Sequence, residues 1–211
     1  MLENYVKHDN GLIQQVALFG DPVQYDYDYM HSRYDQYRER TEGMSCLRLG
    51  YVMQHVGDVP KSVLDVGYGN GSFLRACSAL IPACYGNDVS NYPLPRKINF
   101  VEDVLSKFFE VVTFFDSLEH FTDLSFMNKL RCAYVVVSVP NCHYDSDEWF
   151  KEWKHRRPDE HLWHFNLNSL VSFMGAAGFL LLDHGNVEDA IRGNLNGQPN
   201  ILTACFKSRH A

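Results

Sequence analysis

No apolar run in this chain approaches the ~20 residues that a helix needs to span a bilayer, so no membrane-crossing helix is expected. No segment repeats and no tract is of low complexity, which excludes a solenoid or a disordered polar tail. The opening residues Met1-Leu2-Glu3-Asn4-Tyr5-Val6-Lys7 lack an apolar signal region, and the expected compartment is the cytoplasm. Six cysteines (Cys46, Cys77, Cys84, Cys132, Cys142, Cys205) stand apart with no Cys-x-x-Cys pair. A disulfide framework and a structural zinc site are therefore not expected, and a reducing environment is. Positive charge is also short. With 19 Lys and Arg against 26 Asp and Glu the net charge is −7, which repels polyphosphate over most of the surface. The favoured partner is a small molecule and not a nucleic acid, although a local basic groove stays open.

What is present fits one α/β domain over residues 1–211, with 45% apolar and 21% charged residues. Residues 1–60 read as a helical extension rich in aromatics. Tyr25-Asp26-Tyr27-Asp28-Tyr29, Tyr34 and Tyr37 mix rings with acids, and Ser45 to Val56 reads as an amphipathic helix stopped by Gly57 and Pro60. Those tyrosines either pack on the core or wall a pocket. From Ser62 the pattern becomes short apolar runs, Ser62–Val66, Ala83–Asn87, Ile98–Val101, Val111–Phe115 and Tyr134–Val139. Runs apolar on both faces are the mark of parallel strands covered by helices. Helices are expected at Ser72–Leu80, Leu124–Leu130 and Ser169–Ala177, with two further strands at Phe179–Asp183 and Ile201–Phe206. The expectation is a doubly wound, mostly parallel, seven-stranded Rossmann-like sheet. Residues 61–140 form its cofactor-binding half and 141–211 its substrate side. The stretch after Pro140 is too long for a plain connection, and Gly185–Gln198 reads as a turn-rich linker.

The informative string is Val63-Leu64-Asp65-Val66-Gly67-Tyr68-Gly69-Asn70-Gly71-Ser72. A strand runs into three glycines at alternate positions and then a helix, so that backbone N–H groups can approach a ligand closely. The order Asp-x-Gly-x-Gly-x-Gly does not match the Gly-x-Gly-x-x-Gly of nicotinamide-binding loops. About twenty positions on, a second strand ends in Asp88, where an acid accepts hydrogen bonds from ribose hydroxyls.

On these residues the chain resembles the class I S-adenosylmethionine-dependent methyltransferases, and is similar within them to the ubiquinone-biosynthesis O-methyltransferase branch. The similarity runs from about Met44 to Phe206. It implies an enzyme that binds S-adenosylmethionine through Asp65, Gly67, Tyr68, Gly69, Asn70, Gly71, Asp88 and Val89. Tyr68 replaces the cysteine usual in that branch. Asp103 is the implied partner of the adenine amino group, and Phe115, Asp116 and Ser117 close the site. Met44-Ser45-Cys46-Leu47-Arg48 resembles a helix motif preceding the cofactor loop. Val137-Ser138-Val139-Pro140-Asn141 matches the fifth-strand motif, but the usual glycine-rich turn before that strand is replaced by Lys129-Leu130-Arg131-Cys132-Ala133.

Transfer to a hydroxyl calls for a base near neutral pH, and histidine suits. His120, His161 and His164 are the candidate catalytic residues, each of which could instead be a structural histidine bonded to backbone. Asp116, Glu119 and His120 would share a face at helical spacing, where two acids and an imidazole could bind a divalent ion. Similar enzymes differ on this point, and no metal is assigned here. Lys151-Glu152-Trp153-Lys154-His155-Arg156-Arg157 is either a solvated face or a patch that attracts an anionic acceptor or an RNA end. The favoured function is O- or N-methylation of a small molecule. The alternatives are a metal-assisted RNA 3′-end ribose methyltransferase and a non-catalytic S-adenosylmethionine-binding module.

Overall fold

A computed structural model describes residues 2–21, 23–25 and 38–210. Its centre is a seven-stranded sheet of order β5-β4-β3-β6-β7-β10-β9. The strands are β3 (Ser62–Val66), β4 (Ala83–Asn87), β5 (Asn99–Phe100), β6 (Phe109–Phe115), β7 (Cys132–Pro140), β9 (Phe179–Gly185) and β10 (Ile201–Ser208). The first five run parallel, and β10 lies antiparallel between β7 and β9. The doubly wound, mostly parallel sheet expected from the sequence is the observed one.

The apolar runs split by alternation. Leu64, Val112, Val135 and Val137 face one core with Leu170 and Met174 of α4 (Leu167–Ala176). Val63, Val111 and Val136 face the other, under Tyr51 and Val52 of α1 (Arg38–Val56) and Phe73 and Leu74 of α2 (Ser72–Cys77). The central strands β3, β6 and β7 are buried on both sides, which is why they show no polar alternation, whereas the edge strands β5 and β9 are largely exposed. Burying a side chain such as Phe114 contributes about 1.5–3 kcal/mol. Asn166 caps α4 by accepting from the Ser169 amide, while the Ser169 hydroxyl faces the Asn166 amide in return. No helix among the described residues is long and apolar enough to cross a membrane.

Several local expectations are corrected. The chain does not open as a helical extension: β1 (Tyr5–Lys7) and β2 (Ile13–Gln15) pair, and β2 pairs with β8 (Trp163–His164) as a second, small antiparallel sheet. Three-residue strands are too short to print a period on the sequence. The helix expected from Ser45 begins at Arg38, and the one expected to reach Leu80 ends at Cys77. The helix expected over Leu124–Leu130 is a 3₁₀ segment, Ser125–Lys129. The long stretch after Pro140 holds α3 (Asp147–Glu152), and the supposed linker holds α5 (Asp189–Arg192). Residues 26–37, with Tyr27, Tyr29, Tyr34 and Tyr37, lie outside the described residues. All six cysteines are unpaired, and five are buried.

Asp159 fastens the small sheet to the long loop. Its carboxylate accepts from Gln15 Nε2 at 2.5 Å and from the Phe19 and Gly20 amides at 2.9 Å each. Desolvation opposes its ionisation, but the bonds from Phe19, Gln15 and Gly20 outweigh that and hold its pKa below the ordinary value. A carboxyl with a depressed folded pKa stabilises above its unfolded pKa, and loses that contribution as pH falls through the folded one. Asp159→Asn should therefore melt lower than the wild type at pH 7. Thermal melts repeated towards pH 2 should show the gap closing.

Candidate functional site

Strand order reverses between β3 and β6, and a ligand crevice in an open α/β sheet forms outside the carboxyl ends at such a point. Two cavities lie there. The smaller, about 300 Å³, is lined by Gly67, Gly69, Asp88, Val89, Ser117 and Tyr25 among others. The larger, about 420 Å³, runs between Asp65, Tyr68, Asn70 and Phe115 on one side and Lys154, His155, Arg157 and His161 on the other. Gly67, Asp116 and His120 line both. Both volumes are those of small-molecule sites.

The glycine loop is shaped by close approach. Gly67 has φ +80°, and a Cβ there would meet Ser117 Cβ at 2.5 Å. Ser117 Oγ in turn donates to the Val66 carbonyl at 2.6 Å. The loops leaving β3 and β6 are thus locked at a distance that only glycine allows. Asp88 Oδ2 accepts from the Gly69 amide at 2.9 Å and Oδ1 from the Ser90 amide at 2.8 Å, tying the end of β4 to the loop. Asp65 is buried and accepts from Thr113 Oγ1 at 2.7 Å. Burial pushes its pKa up to about 7, the Thr113 bond and Arg48 partly offsetting it.

Asp116 does not share a helix face with Glu119 and His120, contrary to the helical spacing. It has φ +54°, outside the 3₁₀ turn Leu118–His120. Its Oδ2 accepts from Arg48 Nη2 at 2.7 Å and pairs with Arg192 Nη2. Burial alone would raise its pKa, but Arg192 and Arg48 hold it well below the carboxylate range. Glu188, fully buried where Asp116 is partly exposed, accepts from Arg48 Nε at 2.7 Å. Arg192 Nε lies 2.8 Å from Glu188 Oε2 but is not aligned for a hydrogen bond. Arg48 also lies 4.5 Å from the centre of the Phe115 ring.

Glu119, His120 and His161 converge. Their ligand atoms lie within 4.8 Å of one another, and both Glu119 oxygens are buried with no hydrogen-bond partner. Desolvation, with the Asp116 charge adding, raises the Glu119 pKa well above the ordinary carboxyl value. The His120 and His161 rings stand perpendicular at 4.7 Å, and Tyr25 Oη is 2.8 Å from His120 Nδ1. His161 Nδ1 is 2.8 Å from the His155 carbonyl, which can only accept, so Nδ1 carries the proton and Nε2 is the lone-pair nitrogen. Burial, with His120 and His164 adding, pushes the His161 pKa down to about 2. Burial also lowers that of His120.

Other candidate positions fall elsewhere. His164 lines neither cavity: it is buried among Tyr5, Phe150 and Trp153, and burial drops its pKa to about 3. Asp103 lines neither; its Oδ1 accepts from the Leu105 amide in an exposed turn. Gly71 lines neither, and its left-handed backbone precedes α2. Val89 is 79% exposed at the rim of the smaller cavity. Glu188, Arg192 and Lys154 were not singled out as site residues by the sequence, although the Glu188/Arg192 spacing of four was a readable helical pair.

The sequence profile of the family described as a methyltransferase domain matches residues 34–184. Among solved structures, 1,6-didemethyltoxoflavin-N1-methyltransferase of Burkholderia thailandensis, determined with 1,6-didemethyltoxoflavin and S-adenosylhomocysteine bound, superposes with TM-score 0.57. It is 15% identical, over 97% of this chain and 99% of that chain. Magnesium protoporphyrin IX methyltransferase of Synechocystis PCC 6803 gives TM-score 0.57 at 14% identity, over 90% of each chain. At such identities the likeness is one of fold. No curated protein sequence matches the chain.

Asp88→Ala removes the carboxylate that faces the smaller cavity. It should weaken S-adenosylhomocysteine binding by about 1–3 kcal/mol in calorimetry, the worth of charge-assisted hydrogen bonds. Unchanged affinity in a folded variant would remove Asp88 from that role.

Proposed function

We propose, on the premise that this chain belongs to the methyltransferase-domain family and is a class I S-adenosylmethionine-dependent methyltransferase, that it methylates an oxygen or nitrogen of a small-molecule acceptor. One observation carries the reading: two cavities of small-molecule size meet at Gly67, Asp116 and His120. The donor fits the smaller cavity and the junction. The Asp88 carboxylate suits a ribose, with Gly67, Gly69 and Ser117 as walls. When bound, S-adenosylmethionine supplies an electrophilic methyl group on a sulfonium.

The remaining chemistry belongs to this chain. The larger cavity holds the acceptor and, by positioning its nucleophile at the junction, lowers the entropic part of the barrier. His120 lines the junction, which supports its assignment as the base that takes a proton from the acceptor atom. His161, with a pKa near 2, is too weak a base for that duty and instead offers its Nε2 lone pair to a hydrogen bond from the acceptor. His164 plays a packing role. The strings Leu64–Gly71 and Glu119-His120 support the ubiquinone-biosynthesis O-methyltransferase branch, and with it a hydroxyl acceptor. Calorimetry should show S-adenosylmethionine and S-adenosylhomocysteine binding and NAD failing to bind. Tight NAD binding without the other two would overturn the reading.

A second reading is favoured by the unpartnered Glu119 oxygens beside His120 and His161. Two imidazoles and one carboxylate suit a borderline divalent ion such as zinc, manganese or iron better than magnesium. These three residues would hold such an ion, which would polarise an acceptor hydroxyl, the ribose hydroxyl of an RNA end included. Manganese titrated into chelator-treated protein should then bind one to one, and Glu119→Gln should abolish that binding. Full methyl transfer in excess chelator would exclude the ion from catalysis.

A further inference from the structure

The basic run from Lys151 to Arg157 divides in the fold. Trp153 ends α3 and is buried, stacked on Trp149 at 5.4 Å. Arg156 turns inward, its guanidinium 5.2 Å from the Tyr5 ring centre and 5.9 Å from that of Phe150. Lys154, His155 and Arg157 line the larger cavity instead.

Nearly every cation of that cavity is answered from within. Arg48 and Arg192 share Asp116 and Glu188. Arg157 Nη1 bonds Glu160 Oε1 at 2.8 Å, and Arg40 donates to the Ile191 carbonyl at 2.7 Å. His155 bonds Asn200 Oδ1 at 2.7 Å. Burial pushes the His155 pKa down to about 4, so it carries no charge at neutral pH. Lys154 has neither hydrogen bond nor ion pair among the described residues. Lys154 is itself exposed, at the edge of the cavity, where desolvation, Arg192 and Arg157 act against its charge and Asp189 acts in its favour. The Asp189 carboxylate, however, is taken by the Asn200 and Ile201 amides at 2.8 and 3.0 Å. The remaining acids of the cavity, Asp65 and Glu119, are buried on the β3 and β6 side. An exposed ammonium that shares its cavity with guanidiniums and pairs with no carboxylate is complementary to an incoming anion.

We propose that the acceptor carries an anionic group, a carboxylate or a phosphate, bound by Lys154 in the part of the larger cavity that the smaller one does not share. The proposal rests on the methyltransferase reading, and narrows its substrate class to acceptors with a nucleophile at one end and an anion at the other. The acidic surface of the chain does not oppose this, because a single small anion meets the local field and not the net charge.

The test uses protein saturated with S-adenosylhomocysteine and three probes of similar shape: benzoate, phenyl phosphate and neutral benzamide. Calorimetry should show at least one anion binding about tenfold or more tightly than benzamide, and Lys154→Gln should abolish that preference. The affinity of Lys154→Gln for S-adenosylhomocysteine should equal that of the wild type. Equal binding of anions and benzamide, no anion binding, or an unchanged preference in Lys154→Gln would leave Lys154 a solvated rim side chain and overturn the proposal. Displacement of S-adenosylhomocysteine by the anions would do the same, by placing the anion on the donor's own carboxylate position. If S-adenosylhomocysteine itself fails to bind, it is the donor reading that fails. The anion titrations on the unliganded protein then still decide Lys154.

Discussion

Arg48 and Glu188 stand 140 residues apart in the chain and 2.7 Å apart in the fold, with the glutamate side chain wholly out of water. Asp116 and Arg192 complete the group, so that two cations and two anions are shared among α1, the loop after β6 and α5. Only Glu188 is wholly out of water, while Arg48, Arg192 and Asp116 stay partly exposed; desolvation offsets much of the mutual attraction, so such a cluster is weak as a source of stability. What it does is geometric. Each member has two partners of opposite sign, so removing any one leaves the group a charge out of balance and loosens the tie among the three elements. Together those elements form a wall of the larger cavity.

The left-handed backbone at Asp116 follows from the same constraint. A residue continuing β6 in extended form would send its next side chain along the strand. The reversed φ instead turns the Asp116 carboxylate to Arg48 and Arg192, while Ser117 folds back to bond the Val66 carbonyl. Asp tolerates that conformation better than most residues, and the strain is held by bonds on both sides. The Leu118–His120 turn then starts at an angle that directs Glu119 and His120 towards His161, which arrives on the far side of the long loop. The small sheet β1-β2-β8 and Asp159 hold that loop down, so the far wall of the site depends on a hairpin at the start of the chain.

Polarity in the site is graded by burial. Asp116 stays ionised because two guanidiniums pair with it, whereas for Glu119, three residues on, desolvation and the Asp116 charge outweigh the more distant Arg192 and push it towards its neutral form. His161, fixed by the His155 carbonyl, is neutral throughout the physiological range. The junction between the cavities thus presents hydrogen-bonding groups with little net charge, next to a cationic rim at Lys154.

The sequence by itself determined the sheet, the glycine loop and Asp88. These are local: a parallel strand needs a continuous apolar run, a close backbone approach needs glycine, and an acid at the end of β4 lies one βαβ unit from the loop. It also marked His120 and His161, though not that they would touch, and it named His164 and Asp103, which line neither cavity. Tertiary structure decided what no periodicity encodes. The short strands β1, β2 and β8 form by pairing with each other. Glu188 and Arg192 gain meaning from an arginine 140 and more residues away. Lys154 and Arg156 stand two residues apart, yet one lines the larger cavity and the other turns onto Tyr5 and Phe150. Charge and metal-ligand chemistry depend on distances of a few ångströms between segments remote in sequence, and only the packed fold sets those distances.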